Sequence, residues 1–172
     1  IQRLCESIKA VGLLHPIVVN EDFELIAGAR RLAALKELGR DKVPIHVVPL
    51  KDLVKGEFQE NAVRKDFTVS EIVAIKRALE PELKKEAEKR IKAGKPSSKL
   101  DEGRTDMKIG KYVGMGKDTL RKAEVVVKAA EENPKFEQLL KGVDEGKTSV
   151  QYAYGAVMRE QSKTDSPPIP EG

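Results

Sequence analysis

Strand-like runs in this chain stop near residue 50. "PIVVN" (16–20), "FELIA" (23–27) and "VPIHVV" (43–48) are short β-branched or apolar runs, and from Lys51 onward the pattern turns helical. Any sheet must therefore be built from the N-terminal third. Glu21 and Asp22 separate the first two runs and predict a hairpin, while Pro44 stands near the start of the third, where proline is tolerated. Residues 1–11 read as a helix with Leu4, Ile8 and Val11 on one stripe, ended by Gly12. "GARRLAALKELG" (28–39) reads as another, with Leu32, Leu35 and Leu38 on one side and Gly39 at its end. The result is a small α/β unit closing near Leu50.

Beyond it, "DLVKGEFQENAVRKD" (52–66) and "SEIVAIKRALEPELKKEAEKRIKA" (70–93) read as helices, and Pro81 is expected to kink or divide the second. "GKPSSKLDEGR" (94–104) is the best linker candidate. Helices are expected over 105–113, 117–131, 134–141 and 148–161, and "SKTDSPPIPEG" (162–172) reads as a disordered linker. The expected class is α+β: an α/β domain over 1–66, then an all-α domain over 67–161 with a helix-turn-helix at about 105–130.

Several function classes are excluded early. Cys5 is the single cysteine, so no intrachain disulfide forms and a reducing compartment is expected. His15 and His46 are the only histidines, which rules out a zinc site built from several Cys and His. No G-x-S-x-G elbow supports a serine triad. No apolar run approaches the roughly 20 residues of a membrane span and no signal-peptide pattern opens the chain, so an intracellular protein is expected. "GMGKDT" and "GVDEGKT" depart from the phosphate-loop pattern and are chance matches.

Charge is uneven. The chain carries +4, but Lys84 to Lys128 holds 14 Lys and Arg against 7 Asp and Glu, a net of +7 that leaves −3 elsewhere. A basic stretch of this kind suits nucleic acid. Within it, "TDMKIGKYVGMGKDTLRKAEVVVKAA" (105–130) has Thr105 or Asp106 as a cap and Ile109 with Val113 as an apolar face. Gly110 costs about 1 kcal/mol relative to alanine in a helix, which implies close approach by a second helix, as helix-turn-helix packing demands. Gly114 suits a turn, and Leu120, Ala123, Val126 and Val127 point a second helix inward. Its early residues Lys117, Asp118, Thr119, Arg121 and Lys122 are those a recognition helix offers the major groove, with Arg104 and Thr105 as further DNA contacts at the first helix. An ordinary helical hairpin with a polar face is the competing reading.

Arg30 and Arg31 pose a separate question, because cations are disfavoured at a helix N-terminus. They are either solvated charges offset by Glu24 or Glu37, or ligands of a phosphate bound where Gly28 opens the helix and leaves N–H groups free. Arg31 shares the stripe of Leu35 and Leu38 and is the stronger candidate; Arg30 lies on another face. On dipole grounds, removing Arg31 should not weaken the empty fold. In "ENAVR" (60–64), Glu60 and Arg64 form either a surface pair worth ~0.3–0.5 kcal/mol, or, with Asn61, oxygen ligands for Mg²⁺ and one more phosphate contact.

The order "SIKAVGLLHPIVV…FELIAGARRLAALKELG…VPIHVV…ENAVRKDFTVSE" resembles the N-terminal domain of the ParB family of DNA-partition proteins, and "GRTDMKIGKYVGMGKDTLRKA" resembles that family's helix-turn-helix domain. The resemblance implies a ParB/sulfiredoxin-like fold and a nucleotide site for CTP with Mg²⁺. Gly28, Arg30, Arg31 and Arg64 would lie at the phosphates, with Glu60 and Asn61 at the nucleotide and its metal. It also implies double-stranded DNA and a ParA-type ATPase as partners, a homodimer in a longer protein, and a cytoplasmic place on nucleoid or plasmid. Two departures matter. Ala29 stands where the family carries Glu or His, and the family's first Thr/Pro/Arg motif would precede Ile1, so only a weak CTPase acting as a switch is left open. A sulfiredoxin would need a cysteine in the Gly28–Arg31 box. A ParB-like transcription regulator, free-serine kinase or nuclease remain as alternatives.

Overall fold

A computed structural model describes residues 1–55, 67–94 and 101–164. Helix α1 (Gln2–Val11) leads into strand β1 (Ile17–Asn20), a hairpin and β2 (Leu25–Ala27), then α2 (Ala29–Glu37), β3 (Ile45–Val48) and α3 (Leu50–Lys55). Helices α4 (Val69–Lys92), α5 (Asp101–Val113), α6 (Lys117–Glu132), α7 (Glu137–Asp144) and α8 (Val150–Thr164) follow, with a 3-10 turn at Pro134–Phe136 before α7. The class is α+β, as expected.

The sheet has the order β2-β1-β3, with β1 antiparallel to β2 and parallel to β3. Every residue of β1 is buried, because the central strand is covered on both faces and alternate side chains point opposite ways. Ile17 and Val19 pack with Cys5 and Ile8 of α1 and Ala34 and Leu35 of α2. Val18 and Val48 face the other way, into a core formed with Leu53 of α3, Ile72, Ile75 and Leu79 of α4, and Ile109 and Tyr112 of α5. One apolar cluster thus runs from the sheet into the helical part. A second joins Val126, Ala129 and Ala130 of α6 to Phe136, Val143 of α7, and Ala153 and Val157 of α8.

The hairpin is held by Asn20, whose Oδ1 accepts the N–H groups of Asp22 (3.1 Å) and Glu24 (2.7 Å), an Asx turn. The same turn receives α3: the Lys51 N–H donates to Glu21 at 2.7 Å, and Lys51 Nζ pairs with Asp22.

Three expectations need correction. Pro81 does not divide the helix, since α4 runs through it to Lys92. The carbonyl that loses its donor is that of Arg77, and both residues are exposed, so water can replace the missing bond. The break expected over 94–104 is shorter, because α5 already begins at Asp101; residues 95–100 lie outside the described residues. Residues 162–164, expected in the tail, extend α8. The helix expected over 52–66 is described to Lys55, and its remainder, like residues 165–172, lies outside the described residues.

Candidate functional site

Gly28 has φ 101°, ψ 23° and caps α2 without a side-chain bond. Only glycine takes this left-handed conformation freely. A Cβ there would meet the Arg31 guanidinium, with Nη2 at 3.3 Å and Cζ and Nε at 3.4 Å. Arg31 therefore folds back over the start of its own helix. Its Nη1 donates to the carbonyls of His15 (2.8 Å) and Pro16 (2.7 Å), and its Nη2 to Glu71 at 2.5 Å. Three of its five N–H donors are used. The guanidinium edge carrying Nε is the one turned to Gly28. Arg30, on the exposed face, borders an open depression lined also by Gln2, Arg3 and Glu37.

Sequence reading missed Glu71. Its side chain is 4% exposed against 20% for Arg31. Its second oxygen accepts the Thr68 N–H at 2.9 Å, while Thr68 Oγ1 accepts the Glu71 N–H at 3.3 Å. This is a capping box, and the T-x-x-E spacing at 68–71 could have flagged it. One carboxylate thus closes the N-terminus of α4 and neutralises Arg31. Asp144, at the end of α7, accepts the Ser70 N–H (2.9 Å) at the same terminus, where negative charge is favoured. The dipole argument for a dispensable Arg31 fails on these contacts. Removing the cation strands a buried carboxylate, which outweighs relief of an exposed dipole term.

Helices α5 and α6 meet through a three-residue turn, Gly114 to Gly116. A Cβ on Gly110 would lie 2.5 Å from the Met115 carbonyl oxygen, so the close approach is by the turn's backbone. The Met115 N–H donates to the Gly110 carbonyl at 2.9 Å. Leu120 and Ala123 are fully buried. Asp118, Thr119 and Arg121 are exposed together on the first turns of α6, and Lys117 is half-buried. Lys122 turns toward α8 instead: its Nζ donates to Gln151 at 2.6 Å and lies 5.9 Å from the Tyr154 ring centre. Arg104 and Thr105 fall in the first turns of α5, where only the backbone is described.

Asp106 is not a cap. It lies inside α5 and is buried, with Oδ1 2.8 Å from Lys76 Nζ of α4 and Oδ2 3.1 Å from Arg121 Nε of α6. Lys76 also reaches Glu124 at 2.6 Å. Burial pulls the Lys76 ammonium down, but hydrogen bonds to Asp106 and Glu124 outweigh it and hold its pKa above the ordinary lysine value. Sequence reading missed this cluster too, although Lys76 adjoins the apolar stripe of Ile72, Ile75 and Leu79. On the neighbouring turn, burial and the charge of Glu21 push the Tyr112 phenol up to about 12.

Glu60, Asn61 and Arg64, the expected Mg²⁺ ligands and third phosphate contact, lie outside the described residues. Among the described residues no three His, Cys, Asp or Glu side chains gather as a metal site, and no helix is long and apolar enough to cross a membrane.

Residues 1–62 match the family model of the ParB N-terminal domain. A nucleoid occlusion protein of Bacillus cereus (strain AH187) is 37% identical over 87 residues, 46% of this chain and 30% of that protein. Nucleoid occlusion proteins of Bacillus thuringiensis (strain Al Hakam) and Bacillus mycoides (strain KBAB4) are 36% identical over the same length and shares. The chain therefore spans about 30% of the length of these curated relatives.

Proposed function

We propose that this chain, whose residues 1–62 match the ParB N-terminal domain, is a ParB-family protein with a DNA-binding role in chromosome or plasmid partition. Helices α5 and α6 form a helix-turn-helix that reads double-stranded DNA, with Lys117, Asp118, Thr119 and Arg121 at the groove and Arg104, Thr105 and Lys122 around it. A ParA-type ATPase and a second copy of the full-length protein are its partners. The observation that carries the reading is the contact of Gly110 with the Met115 carbonyl. It sets α6 close against α5 and leaves three polar side chains of the first turns exposed toward a groove.

The N-terminal unit binds a nucleoside triphosphate, CTP with Mg²⁺. Support comes from the left-handed Gly28, whose missing Cβ lets the Arg31 guanidinium lie at the start of α2, where N–H groups lack intrahelical partners. Arg30 supplies an exposed charge and Arg31 the guanidinium edge beside Gly28, with Arg64 as a third phosphate ligand. Glu60 and Asn61 would hold the metal, which would neutralise phosphate charge. Because Glu71 already holds Arg31, a phosphate shares or displaces that contact.

Fluorescence anisotropy with labelled duplex DNA tests the first part. Affinity should fall linearly on a log scale with salt, by about 0.9 per phosphate contact, and Arg121→Ala and Lys117→Ala should each weaken it. Binding indifferent to salt and to both substitutions overturns the DNA reading. Thermal melts with Mg²⁺ and each of CTP, ATP, GTP and UTP test the second. At a hundredfold excess over Kd, CTP should add about 2.7 kcal/mol. Equal curves with all four nucleotides overturn the nucleotide reading alone.

A further inference from the structure

We propose that Asp106 is the positioning residue for DNA recognition: it holds Arg121 by Nε so that the rest of the guanidinium faces the duplex. This rests on reading α6 as the DNA-facing helix. Asp106 is 6% exposed and Arg121 is 55% exposed, and the single bond between them runs from Nε to Oδ2 at 3.1 Å. A guanidinium paired with a carboxylate frequently uses two nitrogens side by side. Arg77 does so with Glu131, at 2.6 and 3.0 Å. Arg121 instead leaves four Nη N–H donors without a bond among the described residues. These are the donors that grip a phosphate or the O6 and N7 edge of guanine.

The anchor itself is fixed from behind. Lys76 Nζ holds the other oxygen of Asp106 at 2.8 Å, and its own second bond goes to Glu124, one turn along α6 from Arg121. Asp106 is thereby tied to α4, while Lys76 is tied to α6, and the carboxylate cannot rotate without breaking both. Lys76 is shared between Asp106 and Glu124, and the bond to Arg121 brings a second cation to these two carboxylates through a single nitrogen. Its consequence is orientation. A free arginine loses rotamer entropy on binding, and one already held at Nε loses less.

The test uses the chain with two duplexes, one that wild type selects from a random library and one scrambled. Affinities and melting temperatures are measured for Asp106→Asn, Arg121→Ala, their combination, Thr119→Ala and Lys76→Met. Asp106→Asn should cost about tenfold on the selected duplex and much less on the scrambled one. It should add nothing in the Arg121→Ala background. Lys76→Met frees the carboxylate from behind and should lower both the melting temperature and, in part, the ratio between duplexes. A merely structural Asp106 would move melting temperature and not that ratio. Losses that multiply independently, or an unchanged ratio in folded Asp106→Asn, overturn the proposal. If Asp106→Asn does not fold, Arg121→Lys decides. A lysine held by Asp106 has nothing left to present, so it should lose as much as alanine, and retained selectivity overturns the idea. Should Thr119→Ala and Arg121→Ala both leave binding unchanged, the DNA reading itself fails and this proposal with it.

Discussion

Two arginines expected as ligands, Arg31 and Arg121, are each tied to a buried acid, but in different ways. Arg31 is enclosed: two backbone carbonyls and Glu71 hold it, and 20% of its side chain is exposed. Arg121 is tethered at one nitrogen, with 55% exposed, and its acid is also bonded to Lys76. Glu71, by contrast, meets no second cation among the described residues; its other oxygen accepts the Thr68 amide. The same residue type therefore serves as a joint between α2 and α4 in one place and as a presented group in the other. What separates them is whether the acid has a second cation beside it.

That difference ranks the expected losses of stability. Arg31→Ala should be the most damaging, at about 3 kcal/mol, because it leaves Glu71 buried and uncompensated. Urea unfolding measures it, and Glu71→Gln in the same background should restore part of the loss. An unchanged midpoint would dissolve the contrast. Gly110→Ala should cost about 2 kcal/mol from overpacking against the Met115 carbonyl, despite the better helix propensity of alanine. A neutral or stabilised variant would mean that the turn relaxes and does not set α6 on α5.

A smaller effect is expected from pH. The Lys76 pKa is raised in the folded state, so its contribution is fully present below the ordinary value of 10.5 and is lost as pH rises above it through the folded value. Lys51, Lys85 and Tyr112 also shift upward, so the check is the difference between wild type and Lys76→Met. The two stability curves should converge above pH 10.5; parallel curves would remove Lys76 from the anchor of Asp106. Least of all, Arg121→Ala should change stability by no more than about 0.5 kcal/mol, while DNA affinity falls. A loss near that of Arg31→Ala would make the two sites alike.

Much of this was legible in the sequence. The β-branched runs before residue 50 form the sheet, and the leucine stripe of "GARRLAALKELG" meets it, because period and turn residues act over a few positions. Gly28 and Gly110 were readable as well, since each glycine stands where a side chain has no conformation or no room. The contacts that define Arg31 and Arg121 were not. Arg31 is joined to a residue 40 positions away and Lys76 to one 48 away, and no local pattern reports such a pairing. Thr68 and Glu71 announce a capping box by spacing, but nothing near them names the third partner. Asp106 shows the limit most clearly. By local rules it is a fair cap for a helix, yet α5 extends past it and the carboxylate is drawn into a charge cluster between three helices.

The sequence by itself determined the α+β class, the order of elements, the glycines at Gly28 and Gly110, and which basic stretch faces nucleic acid in the proposed reading, since all of these follow from periodicity, backbone freedom and composition. Only the tertiary structure decided that α4 passes Pro81 unbroken, that the sheet and the helical part share one core, and which charges are structural and which are presented. Burial is the reason. A charge reads the same in sequence whether water or a carboxylate surrounds it, and its cost and its use are set by what the fold packs against it.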